Sequence, residues 1–161
     1  MRNNKKTIST IIAFTVALFL WRFLLKPEIV GVHQDRYLTF VVIKNPPLTD
    51  KGKINWWIKN KQKLKEEYSI PKADSEGYYD ISVWNIGDGY KINHETDEDA
   101  DLLCFSALKI KEKCIKKDPV LFITHYSKTN DKEPFTQFTL KDVIYRQYGE
   151  NGEIKRVKDE E

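Results

Sequence analysis

The sequence predicts an α+β protein: an N-terminal transmembrane helix, then a small domain with a mainly antiparallel sheet and one main helix. Three observations predict it. Residues 7–25, "TISTIIAFTVALFLWRFLL", form a predominantly apolar run in which only Arg22 is charged. One later segment, Thr49 to Tyr68, carries its apolar residues at helical spacing. Several short segments either alternate or are continuously apolar, with turn residues between them.

In chain order, residues 1–6 read as a basic cytoplasmic tail and residues 7–25 as a signal anchor. At about 1.5 Å per residue the run spans about 28 Å, close to the hydrocarbon thickness of a bilayer. Arg22 lies in its last turn, where its stem can snorkel, and Pro27 ends the helix. No A-x-A pattern follows the run, and no cysteine suited to lipid attachment stands just after it. The basic tail favours N-inside, C-outside at a bacterial inner membrane, which makes residues 28–161 a periplasmic domain.

"EIVGVHQ" and "YLTFVVIKN" follow as two strands. "KNPPLTD" breaks the sheet, and Thr49 or Asp50 caps a helix of roughly Asp50 to Tyr68. On that helix Ile54, Trp57, Ile58, Leu64 and Tyr68 share one face. Trp57 is therefore a core residue. Trp56 falls about 120° from the centre of the face, which makes it an exposed candidate for partner contact. Lys61 intrudes on the apolar face and must snorkel. "GYYDISVWNIGDGYKI" alternates and then turns at "GDG". "HETDEDAD" is an acidic loop, "PVLFITHYS" a central strand, and "TLKDVIYRQY" and "EIKRVK" flank a hairpin turn at "GENG".

Charge limits the class of partner. Residues 1–26 hold Arg2, Lys5, Lys6, Arg22 and Lys26 and no acid, whereas the whole chain is only +3. Residues 27–161 therefore carry −2, which argues against nucleic acid, where one strongly basic face is expected. The bilayer and an envelope protein are the expected partners, with Trp56, Trp84 and Tyr90 as the candidate partner surface.

Cys104 and Cys114 leave two readings open: a disulfide, permitted outside the cytoplasm and worth about 2–3 kcal/mol, or two buried thiols. A straight helix would hold their Cα atoms about 15 Å apart, beyond the roughly 7 Å that a disulfide tolerates. A bond therefore requires the chain to turn back between Phe105 and Lys113. A short helical turn leading into an extended "KCIKK" would allow it. The bridge would then pin the acidic loop, residues 94–101, beside "VLFITHY".

No catalytic set stands out, and no cofactor is expected. His33, His94 and His125 have no motif around them; Ser127 lies near His125, but there is no G-x-S-x-G elbow. Asp97, Asp99 and Asp101 match three positions of a calcium loop, but Leu102 and Leu108 stand where glycine and glutamate belong. No metal is expected.

The stretch "EIVGVHQDRYLTFVVIKNPPLTDKGKINWWIKNKQKLKEEYSIP" resembles the signature of an enterobacterial membrane-protein family, domain of unknown function 943. "WNIGDGYK", "LLCFSALKIKEKCIKKD" and "ENGEIKR" are similar in order and kind. The resemblance covers essentially the whole chain, with "DKGKINWW" its most specific piece, and implies a small envelope protein without assigned chemistry. Together these readings favour a non-enzymatic, protein-binding periplasmic domain, with immunity against a cell-envelope toxin as one concrete form. The alternatives are a subunit of an envelope complex and, more weakly, an envelope hydrolase using His125 or the acidic loop.

Overall fold

The computed structural model describes residues 8, 11–17, 25–35, 38–127 and 133–157. An N-terminal helix, α1, is described at residue 8 and residues 11–17, where Ile8, Ile11, Ile12, Phe14 and Val16 are all exposed. The domain then runs β1 (Glu28–Asp35), β2 (Leu38–Lys44), α2 (Asp50–Tyr68), β3 (Tyr79–Asn85) and β4 (Lys91–Ile92). A 3-10 turn (Asp97–Asp101) leads into β5 (Leu102–Cys104), β6 (Glu112–Lys116), β7 (Pro119–Tyr126), β8 (Phe135–Leu140), β9 (Val143–Tyr148) and β10 (Ile154–Arg156).

This corrects the predicted class. The protein is mostly β-sheet with two helices, and among the described residues no helix is long and apolar enough to cross a membrane. The expected transmembrane helix, residues 7–25, falls partly outside the described residues, at 7, 9–10 and 18–24. The extra β content comes from segments that periodicity misses. "LLC" and "EKCIK" are too short or too charged to alternate visibly, yet they pair as β5 and β6. "TLKDVIYRQY" is not one strand: Lys141 takes a left-handed conformation (φ 49°), and the chain reverses there between β8 and β9.

A seven-stranded sheet has the order β1-β2-β3-β7-β8-β9-β10, and a three-stranded sheet the order β4-β6-β5. β2 and β3 pair in parallel, the other five neighbouring pairs of the large sheet antiparallel. Two parallel strands cannot be joined by a hairpin, so α2 is the crossover between them and lies across one face. Thr49 caps it, its Oγ1 accepting from the Gly52 N–H at 3.1 Å. At the other end Ser69 takes a left-handed conformation, and Ile70 turns back into the core, fully buried.

Strand alternation separates two cores. Val41, Ile43, Ile81, Val83, Leu121, Ile123, Phe138 and Leu140 pack in one cluster with Ile54, Trp56, Trp57 and Leu64 of α2. On the opposite face, Val42 with Phe40 and Trp84 meets Ile86, Phe105 and Ile115, so the small sheet covers the β1–β2–β3 end.

Trp56 is another correction. It is only 7% exposed and sits in the main core beside Trp57 at 3%. Trp57, Ile58 and Lys61 line the flank of α2 toward β7, β8 and β9, while Asn60 and Lys63 line the flank toward the start of β1. Trp56 lies on the second flank by helical spacing. The sheet is wide enough on both sides of α2 to receive both indoles, which a helical wheel centred on one stripe does not anticipate. Tyr68, placed on the apolar face by its spacing, is instead exposed at the end of the helix.

Candidate functional site: an uncovered aromatic face

The half of the large sheet that lies opposite α2 and beyond the small sheet carries one cross-strand row of rings. Tyr126 pairs with Phe135, and Phe135 with Tyr148. Tyr78, just before β3, extends the row, because its neighbour Tyr79 pairs with His125. Ring centroids are 5.8 Å apart for Tyr78–Tyr126, 4.8 Å for Tyr126–Phe135 and 5.6 Å for Phe135–Tyr148. The Arg146 guanidinium sits 5.1 Å from the centre of Phe135, a cation–π contact, and its Nε donates to Gln137 Oε1 at 3.2 Å. None of these rings belongs to either core cluster; Tyr148 is 52% exposed, and Tyr78, Tyr126, Phe135 and Arg146 are half-buried.

A polar row runs beside the rings: Asp80, Thr124, Gln137, Arg146 and Lys155 are successive cross-strand neighbours. Thr124 Oγ1 donates to Asp80 Oδ1 at 3.4 Å. Burial pushes the Asp80 carboxyl above its ordinary value, against the lowering effect of the Thr124 and Ile81 hydrogen bonds. Burial, with Asp80, Tyr126 and Asp74 nearby, likewise pushes the Tyr78 phenol up. Negative charge therefore lies at the β3 end of the face and positive charge at the β9–β10 end.

Trp84 and Tyr90, the other candidates for partner contact, are half-buried and used inside the domain. Trp84 Nε1 donates to Ser82 Oγ at 2.8 Å and its ring stands edge-on to Phe122. The Tyr90 hydroxyl and His33 Nε2 are 2.8 Å apart, and His33 stacks on Phe105 with centroids 4.1 Å apart. Trp84 also packs against the second core cluster, and the His33–Tyr90–Phe105 group joins β1 to the segments beside β4 and β5. The ring row itself was hidden in the sequence, because Phe135 follows the irregular "HYSKTNDKEP" and its pairing depends on the β8–β9 reversal.

Cys104 and Cys114 form a disulfide with a Cα–Cα distance of 4.0 Å. They are direct partners in the β5–β6 ladder, so strand pairing brings them together. The acidic loop is fastened to β6 and the turn after it, since the Lys117 N–H donates to the Asp101 carbonyl and Lys117 Nζ to the Ala100 carbonyl, both at 2.8 Å. Asp99 accepts from the His94 and Thr96 backbone N–H groups and from the Thr96 hydroxyl; these bonds, led by the Thr96 backbone, hold its carboxyl below the ordinary value. Among the described residues no group of three or more His, Cys, Asp or Glu side chains could hold a metal. His125 Nδ1 engages Thr136 Oγ1 at 3.0 Å, while the Ser127 hydroxyl donates to the Glu76 carbonyl.

A family model described as "Enterobacterial putative membrane protein (DUF943)" matches residues 1–158. No curated protein and no solved structure matches the chain.

Proposed function

The chain belongs to the enterobacterial membrane-protein family DUF943, of unknown function, and from that premise we propose that its folded part is a non-enzymatic protein-binding domain in an oxidising compartment of the cell envelope, the periplasm. The observation that carries the binding reading is the ring row Tyr78–Tyr126–Phe135–Tyr148 with Arg146 over it. Tyrosine and arginine are enriched at binding hot spots because each offers a large rigid contact area with a polar end. The Cys104–Cys114 bridge suits an oxidising location. Immunity against an envelope toxin and membership of an envelope complex are two forms of the same reading.

A photo-crosslinking residue in place of Tyr148, in cells expressing the full chain, tests it. One envelope protein should crosslink there and not from position 63 on α2, and Arg146→Ala should reduce the yield. Equal crosslinking from both positions, or none from 148, would overturn the reading. Protection from a toxin on expression marks the immunity form, and stable co-purification with membrane proteins the subunit form.

A further inference from the structure

On the other side of the molecule, between α2 and the end of the sheet, lies a cleft of about 370 Å3. Its floor is the cross-strand row Tyr79–His125–Thr136–Gln147. The next row on the same face, Ile81–Ile123–Phe138–Tyr145, belongs to the core, so the apolar layering stops where the cleft opens. Its size falls at the lower end of small-ligand sites, which combine apolar walls with a few placed polar groups.

Not all of the polar groups around the cleft are engaged. The His125 ring lies parallel to Tyr79, with centroids 5.0 Å apart and planes 12° apart, and Thr136 holds its Nδ1 at 3.0 Å. Among the described residues its Nε2 has no hydrogen-bond partner and no buried side-chain nitrogen or oxygen is unsatisfied, so Nε2 is open to solvent. Lys61 stands on the helix rim beside Trp57 and Ile58, and Glu150 on the turn that follows β9. Neither makes an ion pair among the described residues. Burial lowers the pKa of His125 and raises that of Tyr79, and the Glu150 charge acts upward on both. Gln147 Nε2 donates to the Glu150 and Gly152 carbonyls at 3.2 and 2.9 Å and fixes that turn.

Opposite charges thus stand on opposite rims of a cleft walled by an indole. We propose that it binds a small zwitterion with an apolar side group, an α-amino acid or a short peptide. The ligand carboxylate meets Lys61, its ammonium meets Glu150, and its side group lies against Trp57. A purely cationic ligand would meet Lys61 unfavourably, and a purely anionic one Glu150.

Calorimetric titration of the full chain in micelles with L-leucine and L-leucyl-L-leucine tests this. At least one should bind saturably, and the tighter of the two identifies a free amino acid or a peptide as the ligand. N-acetyl-L-leucine and L-leucinamide, each lacking one charge, should bind at least about ten-fold more weakly than L-leucine, or their dipeptide counterparts more weakly than the dipeptide, as loss of a charge-assisted hydrogen bond implies. Glu150→Gln should abolish the penalty for acetylation but not that for amidation, and Lys61→Met the reverse. Both residues are exposed, so neither change threatens the fold. Absence of saturable binding by both probes up to about 10 mM, weaker than ordinary specific affinities, would overturn the proposal, as would capped forms that bind as tightly as the free ones.

Discussion

Cys104 and Cys114 face each other as paired residues of neighbouring antiparallel strands, their Cα atoms 4.0 Å apart. The Phe105 N–H donates to the Lys113 carbonyl at 3.0 Å, one step along the ladder, so the cysteines occupy a closely spaced pair without mutual backbone bonds. The segment between them reverses without glycine or proline. Protein denatured without reductant should show no free thiols, and two after reduction. Replacing both cysteines with serine should cost about 2–3 kcal/mol, the loop-closure entropy of a short loop. Two thiols before reduction would contradict the bridge and remove one support for a periplasmic location.

Trp56 and Trp57 should both be expensive to truncate. Each is buried in the main core, and emptying a core aromatic site costs about 3–5 kcal/mol. Trp57 also walls the cleft, so its loss leaves a space that solvent can enter, whereas Trp56 lies on the other flank of α2. Urea unfolding followed by circular dichroism should show both alanine variants shifted by several kcal/mol. A Trp56→Ala variant as stable as the native chain would restore the exposed placement that the helical wheel suggested.

What the sequence made legible follows from how locally each feature is determined. The span of α2 is set by Thr49 at its cap and by apolar spacing, both local, and it runs Asp50–Tyr68 as predicted. β7 is visible as a continuous apolar run. The parallel β2–β3 pair is not, because pairing direction depends on where the crossover helix lands. Helical spacing misplaces Trp56 for a related reason: its burial depends on the width of the sheet beneath α2. The aromatic face is not legible locally, because its rings come from four separate segments and meet only once the strands are in register.

Buried His33 and half-buried His125 give stability a definite pH slope. Burial lowers the pKa of both His33 and His125 below the ordinary 6.5, with Glu150 partly opposing the shift at His125. Between the lowered values and 6.5 the unfolded chain binds more protons, so their contribution is complete above 6.5 and is lost as pH falls below it. Asp80 has the opposite sign. Its raised pKa means the folded chain binds more protons just above 3.8, so stability there falls as pH rises. Urea unfolding between about pH 5 and 8 in an Asp80→Asn background isolates the histidines, since the lowered Asp99 carboxyl acts only below its ordinary 3.8 and the raised tyrosines only above 10. Stability should be flat above 6.5 and decline below it, with a shallower decline when His125 is replaced by glutamine. A rise in stability on acidification below 6.5 would refute the assignment.

Gly31 should be intolerant of a methyl group, for a reason that can be removed. A Cβ at Gly31 would lie 2.7 Å from the Tyr90 hydroxyl and 3.1 Å from His33 Nε2. Those two atoms are hydrogen-bonded at 2.8 Å, and His33 is only 8% exposed, stacked on Phe105. The imidazole has little room to swing aside, so the Tyr90 hydroxyl must move and the bond is lost. Gly31→Ala should cost about 1–3 kcal/mol, the usual range for overpacking a filled site. Tyr90→Phe alone should cost about 1 kcal/mol, since it leaves His33 Nε2 without its partner. In the double variant the hydroxyl that obstructs the methyl group is already gone. Its total cost should therefore fall below the sum of the single costs by a measurable coupling energy, about 0.5–3 kcal/mol for residues in contact. Strict additivity in urea unfolding of the four proteins would show that the penalty at Gly31 comes from elsewhere, such as the bulged backbone between Ile29 and Gly31.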